Sequence, residues 1–205
     1  MLIEKTVRGF IDETASNSPA PGGGSIAALS ASSSAALIAM VANLTVGKEK
    51  FADVEEEMQE VIRKATAFKD MFLEYIDKDA NSFNAAMAAF KLPKETEEEK
   101  AHRTKMIQEG YKGAANVPFT VGKEAFKLME LAEFVVEKGN QNAVTDGAVA
   151  AMQARTAVHS AFYNVKINLG SIKDEEYVAK MRSEMKELED KVDEIETRIR
   201  SKVHL

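Results

Sequence analysis

The chain has no cysteine. Disulfides, thiol nucleophiles and zinc–thiolate centres are therefore excluded. A reducing compartment such as the cytoplasm is the matching expectation. There is no tryptophan, and only four prolines occur in 205 residues, two of them (Pro19, Pro21) in one loop. No stretch alternates apolar and polar residues as a half-buried strand does. There is no basic excess: 27 Lys and Arg stand against 33 Asp and Glu, a formal net charge of −6. The electrostatic footprint of a general nucleic-acid binder is missing. The start, MLIEKTVRGF, has no basic segment followed by an apolar one, so no secretory signal is expected. The longest weakly polar run, 25–45, is long enough to span a membrane but is interrupted by serines and lacks flanking Trp or Tyr anchors. It reads as a buried helix, and no membrane partner is expected.

What is present is ordinary for a folded domain: 45% hydrophobic and 29% charged residues. The length fits one helical domain over 1–205, with roughly 70% of the unfolded chain's surface buried.

Apolar residues recur at helical spacing almost throughout. The pattern predicts six helices, at about 3–14, 25–45, 54–90, 96–138, 143–169 and from about 174 nearly to the end. The third would be about 55 Å long. Asp53 with Glu56, and Thr96 with Glu99, have capping-box spacing. Gly139 and Asn140 stop the fourth helix, and Pro118 should kink or interrupt it. Ser171 and Asp174 precede the sixth. There Val178, Met181, Met185, Leu188, Val192, Ile195 and Ile199 follow a 3-4-3-4 spacing, a coiled-coil seam. The expected fold is an all-α bundle of about six long helices. A spare seam suggests completion by a second copy, so a homodimer is expected.

Three places stand out. In the third helix Met58, Ala65, Phe72, Asp79 and Ala86 are seven residues apart, which puts Asp79 on the apolar stripe. An ionised, unpaired carboxylate there costs several kcal/mol. Desolvation would raise its pKa and suit it to acid–base work; a buried structural Asp with a partner is the alternative. The loop Pro19–Ser25 carries Gly22, Gly23 and Gly24 ahead of a helix, where free N–H groups favour anions. Ser25 as an N-cap of a plain connection is the alternative. No P-loop or dinucleotide fingerprint is present. The fifth helix carries a polar row, Asp146, Gln153, Ser160, Asn164 and Asn168, free of Lys and Glu; it lines either a polar cleft or the surface. Glu99 and His102 form one Glu-x-x-His where a di-iron bundle needs two, so no metal is expected.

These segments together resemble the cyclodeaminase/cyclohydrolase family of folate enzymes. The resemblance runs through Thr14-Ala15-Ser16 to Pro21-Gly22-Gly23-Gly24-Ser25, then Leu44-Thr45-Val46-Gly47-Lys48. It continues through Asp77-Lys78-Asp79-Ala80 to Phe83, and Lys91-Leu92-Pro93-Lys94. It ends with Gly139-Asn140, Thr145-Asp146 and Asn164 to Leu169. The blocks follow in order over essentially the whole chain. The family includes the cyclodeaminase half of a bifunctional formiminotransferase and stand-alone bacterial methenyltetrahydrofolate cyclohydrolases, which this chain is more similar to. No formiminotransferase portion is read here, and Phe51 stands where a Tyr is expected.

The resemblance implies an all-α dimer, a tetrahydrofolate substrate, no further cofactor and no metal. It implies hydrolysis of 5,10-methenyltetrahydrofolate to 10-formyltetrahydrofolate; release of ammonia from 5-formiminotetrahydrofolate is the alternative. A non-enzymatic bundle using its C-terminal seam is the competing class. On the enzyme reading Asp79 is the general acid/base. Gly22, Gly23, Gly24 and Ser25 hold the folate by backbone N–H groups. Lys48 meets the glutamyl carboxylates or the pterin carbonyl. Asp146, Asn164 and Asn168 bind the amino-pyrimidine edge, with interhelical hydrogen bonding as the alternative for the two asparagines.

Overall fold

A computed structural model describes residues 1–204. Six α-helices account for most of them: α1 (Val7–Thr14), α2 (Gly23–Asn43), α3 (Glu55–Ala89), α4 (Glu97–Lys138), α5 (Val144–Leu169) and α6 (Glu175–Ser201). Short 3-10 turns cover Leu2–Glu4, Glu49–Val54 and Gln141–Ala143. Among the described residues there is no strand.

The centre of the bundle is α2, packed against α3, α4 and α5. Its composition is the reason. Ala27, Ala28, Ala31 and Ala35 are fully buried and let the neighbouring backbones come close. Its serines bond across to those neighbours. Ser32 Oγ donates to the Lys69 carbonyl of α3 (3.2 Å) and Ser34 Oγ to the Ala150 carbonyl of α5 (2.8 Å). This helix is long and apolar enough to cross a membrane, yet its buried face serves the bundle.

Helix boundaries follow the sequence signals in part. Thr96 and Glu99 make the expected capping box, and Asp174 caps α6 by accepting from the Tyr177 N–H (3.1 Å). The Asp53–Glu56 box does not form. Residues 49–54 are a 3-10 turn, and α3 starts at Glu55 without a side-chain cap. The first helix starts at Val7, capped by Thr6, rather than near residue 3. Of its large apolar residues only Phe10 is buried; Val7 and Ile11 are exposed.

Two further expectations need correction. Of the kink or break expected at Pro118, the break does not occur: α4 runs on past it. The seam of α6 is not spare. Met181, Met185, Val192 and Ile199 are buried against α4 and α5 within the same chain. The end of α6 is clasped to α4: Glu133 takes two bonds from Arg198 (2.7 Å each) and one from Lys202, which also reaches Glu137. The free face lies elsewhere. On α5, Thr145, Val149, Met152, Thr156, Tyr163 and Ile167 form an exposed stripe with no charge in it. Tyr163 and Ile167 are 70% and 76% exposed.

Candidate active site

A cavity of about 270 Å³ opens where the N-terminus of α2 meets α3. Gly22, Gly23 and Gly24 form one wall, and Asp79, Phe83 and Met87 of α3 face them. Tyr111 and Ala114 of α4, with Asn164, Ile167 and Asn168 of α5, complete it. A larger groove of about 1010 Å³ lies between α3 and α4, but carboxylates dominate it, among them Glu56, Glu60, Glu130 and Glu137. It is hostile to an anionic ligand and contains none of the sequence-predicted residues.

Asp79 is half-buried and held by Ser25. The Ser25 hydroxyl is 3.1 Å from Asp79 Oδ2 and 3.0 Å from the Ile76 carbonyl. A hydroxyl has one hydrogen and can also accept. It points at the carboxylate when Asp79 is ionised. When Asp79 is protonated, Ser25 accepts its proton's hydrogen bond and turns its own hydrogen to Ile76. Ser25 thus accommodates both forms. Burial pushes the Asp79 carboxyl above its ordinary range; the side-chain and backbone hydrogen bonds from Ser25 oppose this and leave a net rise. The Ser25 N–H belongs to the first turn of α2, whose N–H groups have no helical partner. Asp79 is thus the anion at this helix terminus.

Two of the three glycines, Gly23 and Gly24, are required by contact. A Cβ on Gly24 would lie 2.1 Å from Asp79 Oδ1, and one on Gly23 would lie 2.8 Å from Asn164 Nδ2. The backbone of α2 is pressed against both side chains, as only glycine permits. Helix α2 starts three residues earlier than expected of an N-cap at Ser25: Gly22 is the N-cap, and Ser25 lies fully buried behind Asp79. It supports the carboxylate and does not line the cavity.

Asp77, two residues away, has another task. It accepts the N–H groups of Leu2 (2.7 Å) and Ile3 (3.4 Å) and ties the N-terminal segment to α3. Of the two aspartates only Asp79 lines the cavity.

Asn164 and Asn168 also stand at the cavity. Lys48 and Asp146 do not. They lie at the opposite end of the bundle: 18 residues of α5 separate Asp146 from Asn164, about 27 Å of helix. There Lys48 Nζ donates to the Leu44 carbonyl, which also takes Asn140 Nδ2 (3.1 Å). The Asn140 N–H donates to Thr45 Oγ1 (2.9 Å). The Leu44–Lys48 and Gly139–Asn140 segments thus meet each other.

The sequence reading gives the larger lining side chains Phe83, Met87 and Tyr111 no role at the site. Phe83 and Met87 fall on the apolar side of α3 and read as core, yet they are partly exposed beside Asp79. Tyr111 carries no sequence signal; its ring meets Phe90 edge-on at 5.9 Å between centroids. His102 is exposed, and the Glu99 carboxylate is used in the capping box.

A family profile described as formiminotransferase-cyclodeaminase matches residues 6–187. The chain belongs to the formiminotransferase-cyclodeaminase family. Within that family, a methenyltetrahydrofolate cyclohydrolase from Methylorubrum extorquens is 39% identical over 92% of this chain and 89% of its own length. The formimidoyltransferase-cyclodeaminase of Rattus norvegicus is 35% identical over 91% of this chain, which spans only 35% of that longer protein. A formiminotetrahydrofolate cyclodeaminase from Thermotoga maritima has the same fold. Its TM-score is 0.88 at 28% identity, covering 99% of this chain and 98% of that one.

Proposed function

We propose that the protein is a methenyltetrahydrofolate cyclohydrolase and that Asp79 is its general acid/base. The observation that carries this reading is a carboxylate of raised proton affinity, backed by Ser25, in a cavity with apolar surfaces at Phe83 and Met87. The cavity is near the lower limit for ligand pockets, so it takes the ring end of a folate and leaves the tail outside.

The substrate is a delocalised N5–CH–N10 cation. Ionised Asp79 stabilises it and takes a proton from water as oxygen adds to the bridging carbon. The carbon–N5 bond then breaks. Asp79 returns its proton to N5, the new hydroxyl loses its own to solvent, and 10-formyltetrahydrofolate results with one proton released overall. Ser25 follows Asp79 through both states. The decrease in methenyltetrahydrofolate absorbance, corrected for spontaneous hydrolysis, tests this. Asp79→Asn should lower kcat by about 10²–10⁴-fold. Equal rates for wild type, variant and buffer would overturn the reading.

A second reading is supported by the rat and Thermotoga relatives, whose names carry cyclodeaminase activity. In 5-formiminotetrahydrofolate, N10 attacks and ammonia leaves, again with one proton shuttle. Ammonia release measured beside methenyl turnover separates the two.

The active form on this proposal is a homodimer joined through the α5 stripe. Val149 and Ile167 each lie nine residues from position 158, and Met152 and Tyr163 lie six and five from it. The stripe is thus nearly self-complementary for two antiparallel copies of α5. Residue 146 would then face residue 170. That brings Asp146 of the partner subunit, and behind it Lys48 of the partner subunit, toward the mouth of the Asp79 cavity. No Lys or Arg of the same chain lines that cavity among the described residues, so a folate's glutamyl carboxylates would find their cation on the second copy.

A further inference from the structure

Pro118 stands inside α4, is buried, and has no N–H. The carbonyl four residues back, that of Ala114, therefore loses its helical donor. Ala114 is only 7% exposed, and a buried carbonyl needs a partner. The partner comes from another helix: Asn168 Nδ2 lies 3.2 Å from the Ala114 carbonyl. The same nitrogen lies 2.8 Å from the Asn164 carbonyl, one turn back on α5.

Both amide hydrogens of Asn168 are thereby directed at carbonyl oxygens. Carbonyls only accept, so the amide cannot be reversed. Its oxygen is the atom left over, and no donor reaches it among the described residues. One turn earlier Asn164 is anchored by a single bond. Its Nδ2 donates to the Ser160 carbonyl (2.8 Å) and its oxygen is left over. Both side chains line the Asp79 cavity.

We infer that Pro118 is a positioning residue. By withholding one N–H from α4 it fixes Asn168 as an acceptor in the cavity wall, and with Asn164 this wall takes a ligand edge rich in N–H donors. An amino-pyrimidinone ring is such an edge. The identity of the ligand rests on the folate reading; the geometry does not. An N–H at position 118 would claim the Ala114 carbonyl within α4. Asn168 would keep one anchor, too little to hold the amide, and would turn its NH₂ toward the ligand most of the time.

Pro118→Ala restores that N–H, and removing a helix-interior proline does not threaten folding. The expected result is an unchanged or higher melting temperature, a kcat within about twofold, and a KM for methenyltetrahydrofolate raised about five- to tenfold, the scale of one neutral hydrogen bond. Asn168→Ala should raise KM alike, and adding Pro118→Ala to it should change nothing more. Pro118→Ser, which also restores the N–H, must match Pro118→Ala. An unchanged KM, or effects that multiply in the double variant, would overturn the inference. Solvent exchange of the Asn168 side-chain NH₂, followed by NMR, is a readout independent of turnover. It should be slow in the wild type and faster in Pro118→Ala. If the wild type converts no folate, the functional reading fails while this exchange still decides the role of Pro118; an unchanged rate overturns it.

Discussion

The two ends of the bundle are built from the same helices and use their polar groups in opposite ways. At the Leu44–Lys48 end, side chains are spent on the chain itself: Lys48 and Asn140 share the Leu44 carbonyl, and Thr45 takes the Asn140 N–H. At the glycine end, acceptors are kept in reserve. Asp79, Asn164 and Asn168 are all oriented by their neighbours, and each retains oxygen at a cavity. Thr45 and the Asn140 amide, satisfied within the chain, have little left to offer a ligand, whereas an acceptor oriented but unfilled is prepared for one. Lys48 commits one of its three ammonium hydrogens to Leu44 and keeps two. Residues of equal polarity, both drawn from family-like segments, thus differ by whether the fold consumes them.

The contrast can be broken most severely at Gly24. Gly24→Ala places a methyl carbon only 2.1 Å from Asp79 Oδ1. The carboxylate must move by the order of an ångström, and a displacement of that size costs roughly 10²-fold in rate. Rate measurements beside thermal melts will show whether activity falls before the fold does; full activity in the variant would refute the placement of Asp79.

The far end sharpens the comparison next. If Lys48 serves the site of a second subunit, Asp79→Asn and Lys48→Ala chains should rescue each other. Of the sites formed by random pairing of the two variants, about a quarter carry both native residues. Co-expressed, differently tagged chains should recover about that share of wild-type turnover. No recovery would confine each site to one chain.

The smallest effect is on pH. A raised Asp79 pKa means that kcat/KM declines on acidification with a midpoint above 3.8. Ser25→Ala removes hydrogen bonding that favours the ionised form, so the midpoint should move higher still. The stability sign runs the other way. The native state holds this proton more tightly than the unfolded chain, so the ionised carboxylate weakens the fold as pH rises from 3.8 through the native value. Asp79→Asn should therefore lose activity without losing stability at neutral pH.

Much of this was legible in the sequence. Seven-residue spacing placed Asp79 beside Phe72 and Ala86 on one stripe, because helical geometry projects directly from sequence. The capping residues Thr96 and Asp174 marked real boundaries because their bonds are local. What was hidden depended on contacts between distant segments. The α6 seam looked spare because nothing local tells an internal partner from an external one. Ser25 reads as a cap until α3 lies beside it. Lys48 and Asp146 sit in family-like blocks of their own, as the cavity residues do, yet no motif records which end of a helix a block occupies. Pro118 predicted a break; the structure keeps α4 continuous and satisfies the Ala114 carbonyl from α5 instead.

The clasp at the end of α6 has a bearing on how this protein meets acid. Arg198 and then Lys202 hold Glu133 down to about 2, so that fastening is in force at neutral pH and is released only as pH drops through that value. Asp79 takes up its proton well before this. With Asp79 in its proposed role, there is an interval in which activity should be lost while the last helix stays latched, and that activity should return in full on neutralisation.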